Sequence, residues 1–224
     1  MNTPRIIEAP LNLIQSILKL FVTYLPGSAG NKIRYFYYKN KFKKCGKNVI
    51  IDQGVIIEGA EFISLGENVY IDKYCIISTG KTLIGKILRK ENTAFQGEIG
   101  ELIIGDNVHL VQFCIIMAYG GVRIGDYCTL SSGTKIYSLS NLPYDFEDKS
   151  KIISIMPYET APFILSPVVL EDNVWLGLNC IVMPGTHIQK NSFAVSSSLL
   201  MGKYTENSYL SGNPAIKVRN RYQS

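Results

Sequence analysis

Aliphatic residues recur every six positions along most of the chain. The longest uninterrupted run is Leu170, Leu176, Val182, Ile188, Ala194 and Leu200. The same spacing gives Cys45, Ile51 and Ile57, then Leu65, Ile71, Ile77 and Leu83, then Ile104, Leu110 and Ile116, which continue after a two-residue slip as Ile124, Leu130 and Ile136. A fixed period of this kind predicts a solenoid, in which each turn buries its aliphatic row against its neighbours.

A small or β-branched residue often follows the aliphatic one by four places. Six residues per step, with an inward aliphatic and a small corner residue, imply short parallel strands around a triangular prism. An alternating β-sandwich has a period of two and would not keep one aliphatic class in this register. We therefore predict an all-β solenoid with three faces per coil. Ile104 and Ile124 are expected on the first face, and Ile136 and Val182 on the third.

The cysteines fit this pattern. Four of the five fall on the small-residue position and are predicted to fill the core: Cys75, Cys114, Cys128 and Cys180. The chain has no CxxC motif and only two histidines, so we predict reduced thiols, a cytoplasmic location and no metal site.

Two stretches leave the six-residue register. Residues 86–101 are rich in charge, and residues 142–166 are longer and contain three prolines. Long loops in a compact solenoid usually cover or build a site. We expect the functional site to lie near one of them.

The N-terminal residues 1–44 lack the repeat, so we predict a helical segment there and the solenoid over residues 45–224. Polar residues at three- and four-residue spacing over Leu11–Leu25 predict an amphipathic helix, too short and too polar to cross a bilayer. The sequence "PGSAG" then breaks the chain, and residues 31–44 are predicted to form a second helix. No signal peptide is recognisable.

The net charge of +5 is concentrated in residues 31–47, which contain seven Lys or Arg and no acid. One interpretation is that the helices cap the solenoid or pack on a neighbouring subunit. The other is an interfacial anchor over residues 11–47 at the inner face of the plasma membrane. Its basic residues would face anionic headgroups: Lys32, Arg34, Lys39, Lys41, Lys43 and Lys44. No nucleic-acid-binding motif accompanies the charge, so no nucleic-acid partner is predicted.

Two motifs add a family resemblance to the repeat. "DNVWLGLNCIVMPGTHI" (residues 172–188) and "SGNPAIKVRNR" (residues 211–221) resemble the left-handed β-helix acyltransferases. The similarity covers about residues 45–221, and the nearest branches are the galactoside and maltose acetyltransferases and the bacterial polysaccharide O-acetyltransferases. The resemblance implies a left-handed parallel β-helix with hexapeptide repeats and a homotrimer with active sites in the clefts between subunits. Acetyl-CoA would be the donor, and a sugar hydroxyl or amine the acceptor.

The resemblance also implies a donor site. Trp175 matches the family tryptophan beside the coenzyme, and Gly177 matches the glycine that follows it. Ser196 falls where the backbone contacts the pantetheine arm, and Arg219 matches an arginine near the adenosine phosphates. The alternatives are that Trp175 is a packed aromatic and Arg219 a solvated charge.

The acceptor site departs from the family pattern. Val111 stands where a sugar-binding Asn is common, and Ala118 and Tyr119 stand where an acceptor-binding Asp is common. Asn141 replaces the catalytic histidine. An amide cannot serve as a general base, although it can orient a hydroxyl or support an oxyanion.

Either histidine is a candidate for the missing base. The register predicts that Asn141 and His187 share a corner on successive coils, about 5 Å apart. His109 is predicted at the end of the first face, close to the acceptor positions, and in a trimer it could face a neighbour's Asn141. Both histidines could equally be surface imidazoles.

We therefore predict an acetyl-CoA-dependent O-acetyltransferase that acts on a sugar in bacterial surface polysaccharide biosynthesis. The acceptor would be a free or lipid-linked sugar, and His109 or His187 would remove its proton. One alternative is a catalytically inactive trimeric scaffold or binding subunit of a polysaccharide assembly complex. Another is an acyltransferase with a non-acetyl donor or a different acceptor, since Val111 and Ala118 make the acceptor site less polar.

Overall fold

In the computed structural model, which describes residues 5–81, 85–148 and 161–222, two helices precede a long series of short strands. The elements are α1 (Arg5–Tyr24), α2 (Gly27–Lys39), β1 (Lys44–Cys45), β2 (Ile50–Ile51), β3 (Ile56–Glu58), a 3-10 turn (Ala60–Phe62), β4 (Ile63–Leu65), β5 (Tyr70–Ile71), β6 (Ile76–Ser78), β7 (Lys86–Arg89), β8 (Leu102–Ile104), β9 (His109–Leu110), β10 (Ile115–Met117), β11 (Val122–Ile124), β12 (Thr129–Leu130), β13 (Lys135–Tyr137), β14 (Leu139–Asn141), β15 (Pro162–Leu165), β16 (Val168–Leu170), β17 (Trp175–Leu176), β18 (Ile181–Val182), β19 (His187–Ile188), β20 (Phe193–Ala194), β21 (Leu199–Leu200), β22 (Lys203–Tyr204), β23 (Ser208–Gly212) and β24 (Ala215–Asn220).

Most of these strands form three parallel sheets, and each complete coil adds one strand to each sheet. Sheet A has the order β1-β4-β8-β11-β16-β19-β22, and sheet B has the order β2-β5-β9-β12-β17-β20-β23. Sheet C contains β3, β6, β10, β13, β18 and β21. The last strand, β24, turns back antiparallel against β23 and ends sheet B. The three-faced solenoid is the architecture that the six-residue period predicts.

The core is built from the predicted register. Ile104 pairs with Ile124 in sheet A, and Ile136 pairs with Val182 in sheet C, so both face assignments are correct. All the inward aliphatic residues that the structure describes are buried, except Cys45, which is half-buried, and Leu83 lies outside the described residues. Stacking these rows removes the aliphatic side chains from water at every coil, which is the main stabilising term of such a fold.

The four predicted core cysteines are also buried. Burial raises the pKa of the Cys128 thiol to about 12 and raises that of Cys180 as well. A thiol must be ionised to act as a nucleophile, so Cys128 and Cys180 serve as small apolar fillers.

Asparagines shape one corner of the prism. Asn48, Asn68 and Asn107 all have φ between 55° and 57°, a left-handed conformation that Asn tolerates better than most residues. Their side chains form a ladder, in which Asn48 Nδ2 donates to Asn68 Oδ1 at 3.0 Å and Asn68 Nδ2 donates to Asn107 Oδ1 at 3.1 Å. The ladder fixes the register of successive coils at this corner.

The two predicted loops meet in a small side sheet. Strand β15 pairs antiparallel with β14 and parallel with β7, so the loops contain strands of their own. Lys86 Nζ joins the two loops by donating to Asp145 Oδ2 at 2.9 Å and to Glu147 Oε2 at 2.8 Å. The chain therefore leaves the prism near Ser138 and returns to it at Val168.

This excursion corrects one prediction. Asn141 pairs with Phe163 in the side sheet, whereas the strand beside His187 in sheet A carries Val169. The expected neighbourhood of Asn141 and His187 on one corner is therefore wrong. The hexapeptide register does not continue past Ser138, because β14 leaves the prism to form an antiparallel hairpin.

The N-terminal helices lie against the first coil, where Tyr38 and Phe42 join the core. The second helix begins at Gly27, inside the "PGSAG" sequence that was expected to break the chain, and it ends at Lys39. The break is limited to Leu25 and Pro26, and Pro26 is the N-cap of α2, where its lack of an N–H leaves no helical hydrogen bond unmade. In the described residues, neither helix is long and apolar enough to cross a membrane.

Arg34 joins these helices to the solenoid and is fully buried. Its guanidinium donates to the backbone oxygens of Val22 and Leu25, at the C-terminal end of α1, and to the oxygen of Ile51 in the first coil. Cations are favoured at helix C-termini, where carbonyl groups lack intrahelical partners. The prediction that Arg34 faces lipid headgroups is therefore wrong, because this side chain is an internal support.

Candidate active site

One row of outward side chains runs along sheet B. Each two-residue strand of this sheet points its first residue outward and its second residue into the core, and Tyr209 and Leu210 of the longer β23 continue this register. Seven strand steps of about 4.8 Å make the row roughly 34 Å long. Its members are Ile50, Tyr70, His109, Thr129, Trp175, Phe193, Tyr209 and, on the antiparallel last strand, Arg219.

The C-terminal half of the row is a continuous aromatic surface. The Trp175 ring lies edge-on to Phe193 at 5.3 Å between centroids, and Phe193 contacts Tyr209 at 5.1 Å. The guanidinium carbon of Arg219 lies 3.9 Å from the centre of the Tyr209 ring. Trp175 is 46% exposed. The structure thus places Trp175 and Arg219 on one face, about 14 Å apart along the row.

Gly177 and Ser196 lie at the corner beside this aromatic surface. A side chain at residue 177 would come within 2.6 Å of the Ser196 nitrogen, so glycine is needed for the close approach of two coils. The Ser196 hydroxyl accepts a hydrogen bond from the backbone N–H of Leu178 at 3.1 Å. Both residues have clear structural roles here, and their contact with a coenzyme stays a prediction.

His109 occupies the N-terminal half of the same row. Its ring stacks on Tyr70, with centroids 4.9 Å apart and planes 5° from parallel. Its Nε2 lies 3.7 Å from Asp72 Oδ2, too far for a hydrogen bond. This nitrogen is shielded from solvent, and none of the described residues forms a hydrogen bond with it. An unsatisfied buried imidazole nitrogen next to a carboxylate is costly and therefore informative.

Tyr70 extends this polar cluster toward the N-terminal helices. Its hydroxyl donates to Asp52 Oδ2 at 3.1 Å, and Asp52 in turn lies 3.9 Å from the Arg34 guanidinium. Burial, followed by the negative charge of Asp72, raises the pKa of Tyr70 to about 12. Tyr70 therefore stays protonated and donates its hydrogen bond at neutral pH.

Outward side chains of sheet B contact the preceding coil in a regular way. Tyr70 contacts Asp52, His109 approaches Asp72, and Trp175 Nε1 donates to Ser131 Oγ at 3.0 Å. In each case the partner immediately follows the inward residue of the preceding coil. At the one intervening strand, this position holds Val111, which interrupts the polar partners between His109 and Trp175.

His187 lies on a different face of the prism. It belongs to sheet A, its Nε2 is 2.7 Å from Glu171 Oε1, and its side chain is 13% exposed. The other oxygen of Glu171 accepts the backbone N–H of Lys190 at 3.0 Å. His187 is thus held in a closed hydrogen-bonded arrangement and does not join the row that contains Trp175.

The remaining acceptor positions do not converge within one chain. Asn141 is exposed on the side sheet, and Ala118 is fully buried, so the Ala118 side chain cannot contact an acceptor. Among the described residues, no cluster of three or more His, Cys, Asp or Glu side chains could hold a metal ion. The structure therefore groups one predicted base, His109, with Trp175 and Arg219.

Sequence reasoning missed three contributors to this site: Tyr70, Asp72 and Ser131. Their positions in the repeat could have indicated them, because Tyr70 precedes an inward residue as His109 does. Asp72 and Ser131 each follow an inward residue. The register does not predict which polar side chain on one coil contacts which polar side chain on the next coil.

A family model for the hexapeptide repeat of succinyl-transferase matches residues 101–138 and 167–193. These two stretches contribute strands to all three sheets and include His109, Trp175 and His187.

Two proteins of Escherichia coli are similar in sequence. The chain is 31% identical to dTDP-4-amino-4,6-dideoxy-D-glucose acyltransferase over 143 residues, which are 64% of this chain and 64% of that protein. It is 28% identical to the putative lipopolysaccharide biosynthesis O-acetyl transferase WbbJ of strain K12 over 123 residues, 55% of this chain and 62% of WbbJ. The chain thus spans slightly less than two thirds of the length of these relatives.

Among solved structures, the chain resembles a variant of AntD, an N-acyltransferase from Bacillus cereus, in complex with dTDP and Coenzyme A. The TM-score is 0.62 and the identity 25%, over 81% of this chain and 85% of AntD. Together with the parallel three-faced solenoid, these findings confirm the predicted left-handed β-helix and support the predicted relationship to the hexapeptide-repeat acyltransferases.

Proposed function

We propose that this chain is a hexapeptide-repeat acyltransferase that transfers an acyl group from coenzyme A to a hydroxyl or amino group of a sugar. The observation that carries the proposal is the single row on sheet B that contains His109, Trp175 and Arg219. A candidate base, an exposed aromatic surface and a cation at its end are groups that would suit a coenzyme A-dependent transfer.

The donor would lie along the C-terminal half of the row. The exposed edges of Trp175, Phe193 and Tyr209 offer an apolar surface for the pantetheine arm, and the Arg219 guanidinium suits phosphate oxygens at the end of the row. Acetyl-CoA is the donor that we propose first. The presence of Coenzyme A in the similar AntD structure supports this assignment.

His109 would act as the general base. The acceptor oxygen or nitrogen attacks the thioester carbonyl, the imidazole takes the acceptor's proton, and coenzyme A leaves as its thiolate, which is then protonated. The neighbouring Asp72 carboxylate would stabilise the imidazolium that forms, in the role that a carboxylate plays beside a catalytic histidine. Backbone N–H groups at the sheet B corner could stabilise the oxyanion.

We propose an amino sugar carried on a nucleotide as the preferred acceptor. A neutral amine is nucleophilic before it loses a proton, whereas a sugar hydroxyl depends on a strong base during its attack. The replacement of a catalytic histidine by Asn141 therefore affects N-acylation less than O-acylation. The similarity to dTDP-4-amino-4,6-dideoxy-D-glucose acyltransferase supports the same choice, and the similarity to WbbJ supports a hydroxyl as the alternative.

We further propose that the complete site forms between copies of the chain. Sheet B holds the candidate donor row and base, whereas Asn141 lies on the side sheet, outside this row. A side-by-side trimer would bring the side sheet of one copy to sheet B of another. Light scattering of the purified protein measures the assembly directly, and a monomer at assay concentrations would contradict this part of the proposal.

The function is tested by measuring the release of coenzyme A from acetyl-CoA with two matched acceptors. These are dTDP-4-amino-4,6-dideoxyglucose and the dTDP-sugar that carries a hydroxyl at the same carbon. We expect faster turnover of the amine. Faster turnover of the hydroxyl would overturn the choice of acceptor but keep the transferase. An absence of coenzyme A binding would overturn the transferase and favour a scaffold.

A further inference from the structure

The apolar stripe of α1 faces away from the rest of the protein. Leu13, Ile17, Phe21 and Tyr24 recur at three- and four-residue spacing, which places them on one side of the helix, and they are 46–64% exposed. Val22, which is buried, lies on the opposite side. A helix that packs on a core normally turns its apolar stripe inward, so this stripe lacks its usual covering.

The helix is nevertheless firmly attached at its C-terminal end. The Arg34 guanidinium donates to the backbone oxygens of Val22 in α1, of Leu25 just after it and of Ile51 in the first coil. The Gly54 N–H donates to the Thr23 oxygen at 2.7 Å. These contacts hold the helix at the N-terminal end of the prism, next to the first strands of the sheets. The stripe is therefore a fixed surface at this end of the molecule.

The sequence that contains and follows α1 is strongly basic. Between Glu8 and Asp52 the chain has no Asp or Glu and eight Lys or Arg. One of the eight, Arg34, is buried, and Lys43 pairs with Glu101. The exposed cations are Lys19, Lys32, Lys39, Lys41, Lys43, Lys44 and Lys47.

A groove lies between α2 and the first coil. It has a volume of about 600 Å³, and its lining is mostly apolar, with Tyr35, Phe36 and Ile50 among its walls. Lys32 and Lys47 also line the groove. Two ammonium groups beside an apolar cleft match the chemistry of a phospholipid, whose phosphate is anionic and whose chains are apolar.

We propose that this end of the protein docks on the surface of an anionic lipid bilayer. The α1 stripe enters the interface parallel to the membrane plane over about 17 Å, and the lysines contact the headgroups. A second copy of the chain is a poorer occupant, because self-association through this end would bring two lysine-rich surfaces together. The inference does not depend on the proposed acyl transfer, since the only residue it shares with sheet B's row is Ile50, which has no part in that transfer.

The test is sedimentation of the full-length protein with two kinds of vesicle. One contains phosphatidylcholine alone and the other phosphatidylcholine with about 30% phosphatidylglycerol. We expect binding to the anionic vesicles that weakens with added salt. The double variant Ile17→Ser/Phe21→Ser should bind at least tenfold more weakly, and its control is Tyr127→Ser, which changes an exposed aromatic on the solenoid.

The charge is tested by Lys32→Gln/Lys47→Gln, with the exposed pair Lys73→Gln/Lys203→Gln as control. At about 1 kcal/mol per lysine near an anionic surface, the first pair should weaken binding roughly 30-fold and the control pair should weaken it much less. Thermal unfolding and acyl transfer to a soluble nucleotide sugar should be unchanged in all four variants. Loss of transfer with vesicle binding intact would therefore concern the proposed function alone.

Two results would overturn the docking proposal. The first is that the unaltered protein and the stripe variant Ile17→Ser/Phe21→Ser bind equally well, and that each binds both kinds of vesicle equally well. The second is that the unaltered protein binds neither kind of vesicle, while light scattering shows that its oligomer dissociates when Ile17 and Phe21 are replaced. That second outcome would assign the stripe to another copy of the chain.

Discussion

The two histidines occupy the same position in the repeat yet have different surroundings. Each is the first residue of a two-residue strand, and each is close to the acid that follows the inward residue of the preceding coil. His187 reaches Glu171 at 2.7 Å, whereas His109 stops 3.7 Å from the shorter Asp72. His187 is nearly covered, whereas 40% of the His109 side chain is exposed.

The difference shows that a histidine–carboxylate pair does not by itself make a site. His187 has Val169 and Lys203 beside it in sheet A, so no aromatic surface lies next to it. His109 belongs to the same row as Trp175, two strand steps away. The position in the repeat determines that a side chain points outward. Its neighbours along the sheet determine whether it can take part in a reaction.

Replacing each histidine by alanine is the strongest test of this comparison. We expect His109→Ala to lower kcat by about 10² to 10⁴, because a positioned general base contributes that much. His187→Ala should change kcat by less than about threefold, since this side chain is engaged with Glu171 on another face. Steady-state kinetics with saturating acetyl-CoA gives both values. The reverse ranking would transfer the catalytic role to sheet A.

The aromatic surface is tested by donor binding. Trp175→Ala and Arg219→Ala should each weaken the Kd for coenzyme A about tenfold, because each removes one stacking or charge-assisted contact of about 1.4 kcal/mol. Tyr127→Ala, at an exposed aromatic outside the row, is the matched control and should bind normally. Calorimetric titration measures all three. Unaltered affinity in both row variants would place the donor elsewhere.

The side-chain lengths of the two acids beside the histidines, Asp72 and Glu171, can be exchanged by substitution. Asp72→Glu should let the carboxylate reach His109 Nε2 and stabilise the fold by about 1 kcal/mol, and Glu171→Asp should remove the bond to His187 and cost about as much. Denaturant unfolding of the two variants measures the changes. If Asp72→Glu leaves both stability and activity unchanged, the gap beside His109 has no energetic or functional importance.

The smallest expected effect concerns the side sheet that separates Asn141 from His187. Hydrogen bonds to Glu147 and Asp145 raise the pKa of Lys86 to about 12, and the bond from Lys86 holds the pKa of Asp145 below its usual range. The Lys86 contribution is therefore complete below its unfolded pKa of about 10.4 and is lost as the pH rises through about 12. The Asp145 contribution is present above about 3.9 and is lost as the pH falls through its lowered folded pKa.

Hydrogen exchange of strand β7 measures this local effect. Protection of residues 86–89 should decrease at acidic pH in the unaltered protein, whereas the core strands stay protected. Lys86→Met should show the lower protection already at neutral pH. Equal protection at both pH values would mean that the strand pairing alone holds the side sheet.

Much of the fold could be predicted from the sequence because the solenoid is periodic. The inward residues, the three faces and the core cysteines all follow from a six-residue count. The side sheet could not be predicted, because β14 and β15 pair antiparallel outside the repeat, and Asn141 was therefore misplaced. The prediction for Arg34 was also wrong, since its charge alone does not reveal that four backbone oxygens surround it.

The candidate site was predictable only in part. The motif residues Trp175 and Arg219 could be named, but their alignment in one row follows from the pairing of β17, β20, β23 and β24. Asp72 and Tyr70 became visible only when two coils were stacked, because they act through contacts between residues of different turns.

The two ends of the prism determine whether molecules can associate end to end. A stack of parallel strands exposes unpaired backbone groups at its first and last coil, and such edges recruit further strands and lead to filaments. Here the α2 helix, fastened by Arg34, lies at the first coil, and β24 runs antiparallel over the last strand of sheet B. The edge of sheet B is thus covered by β24 at the last coil, which opposes end-to-end growth there. Removing β24 should expose this edge and promote end-to-end association.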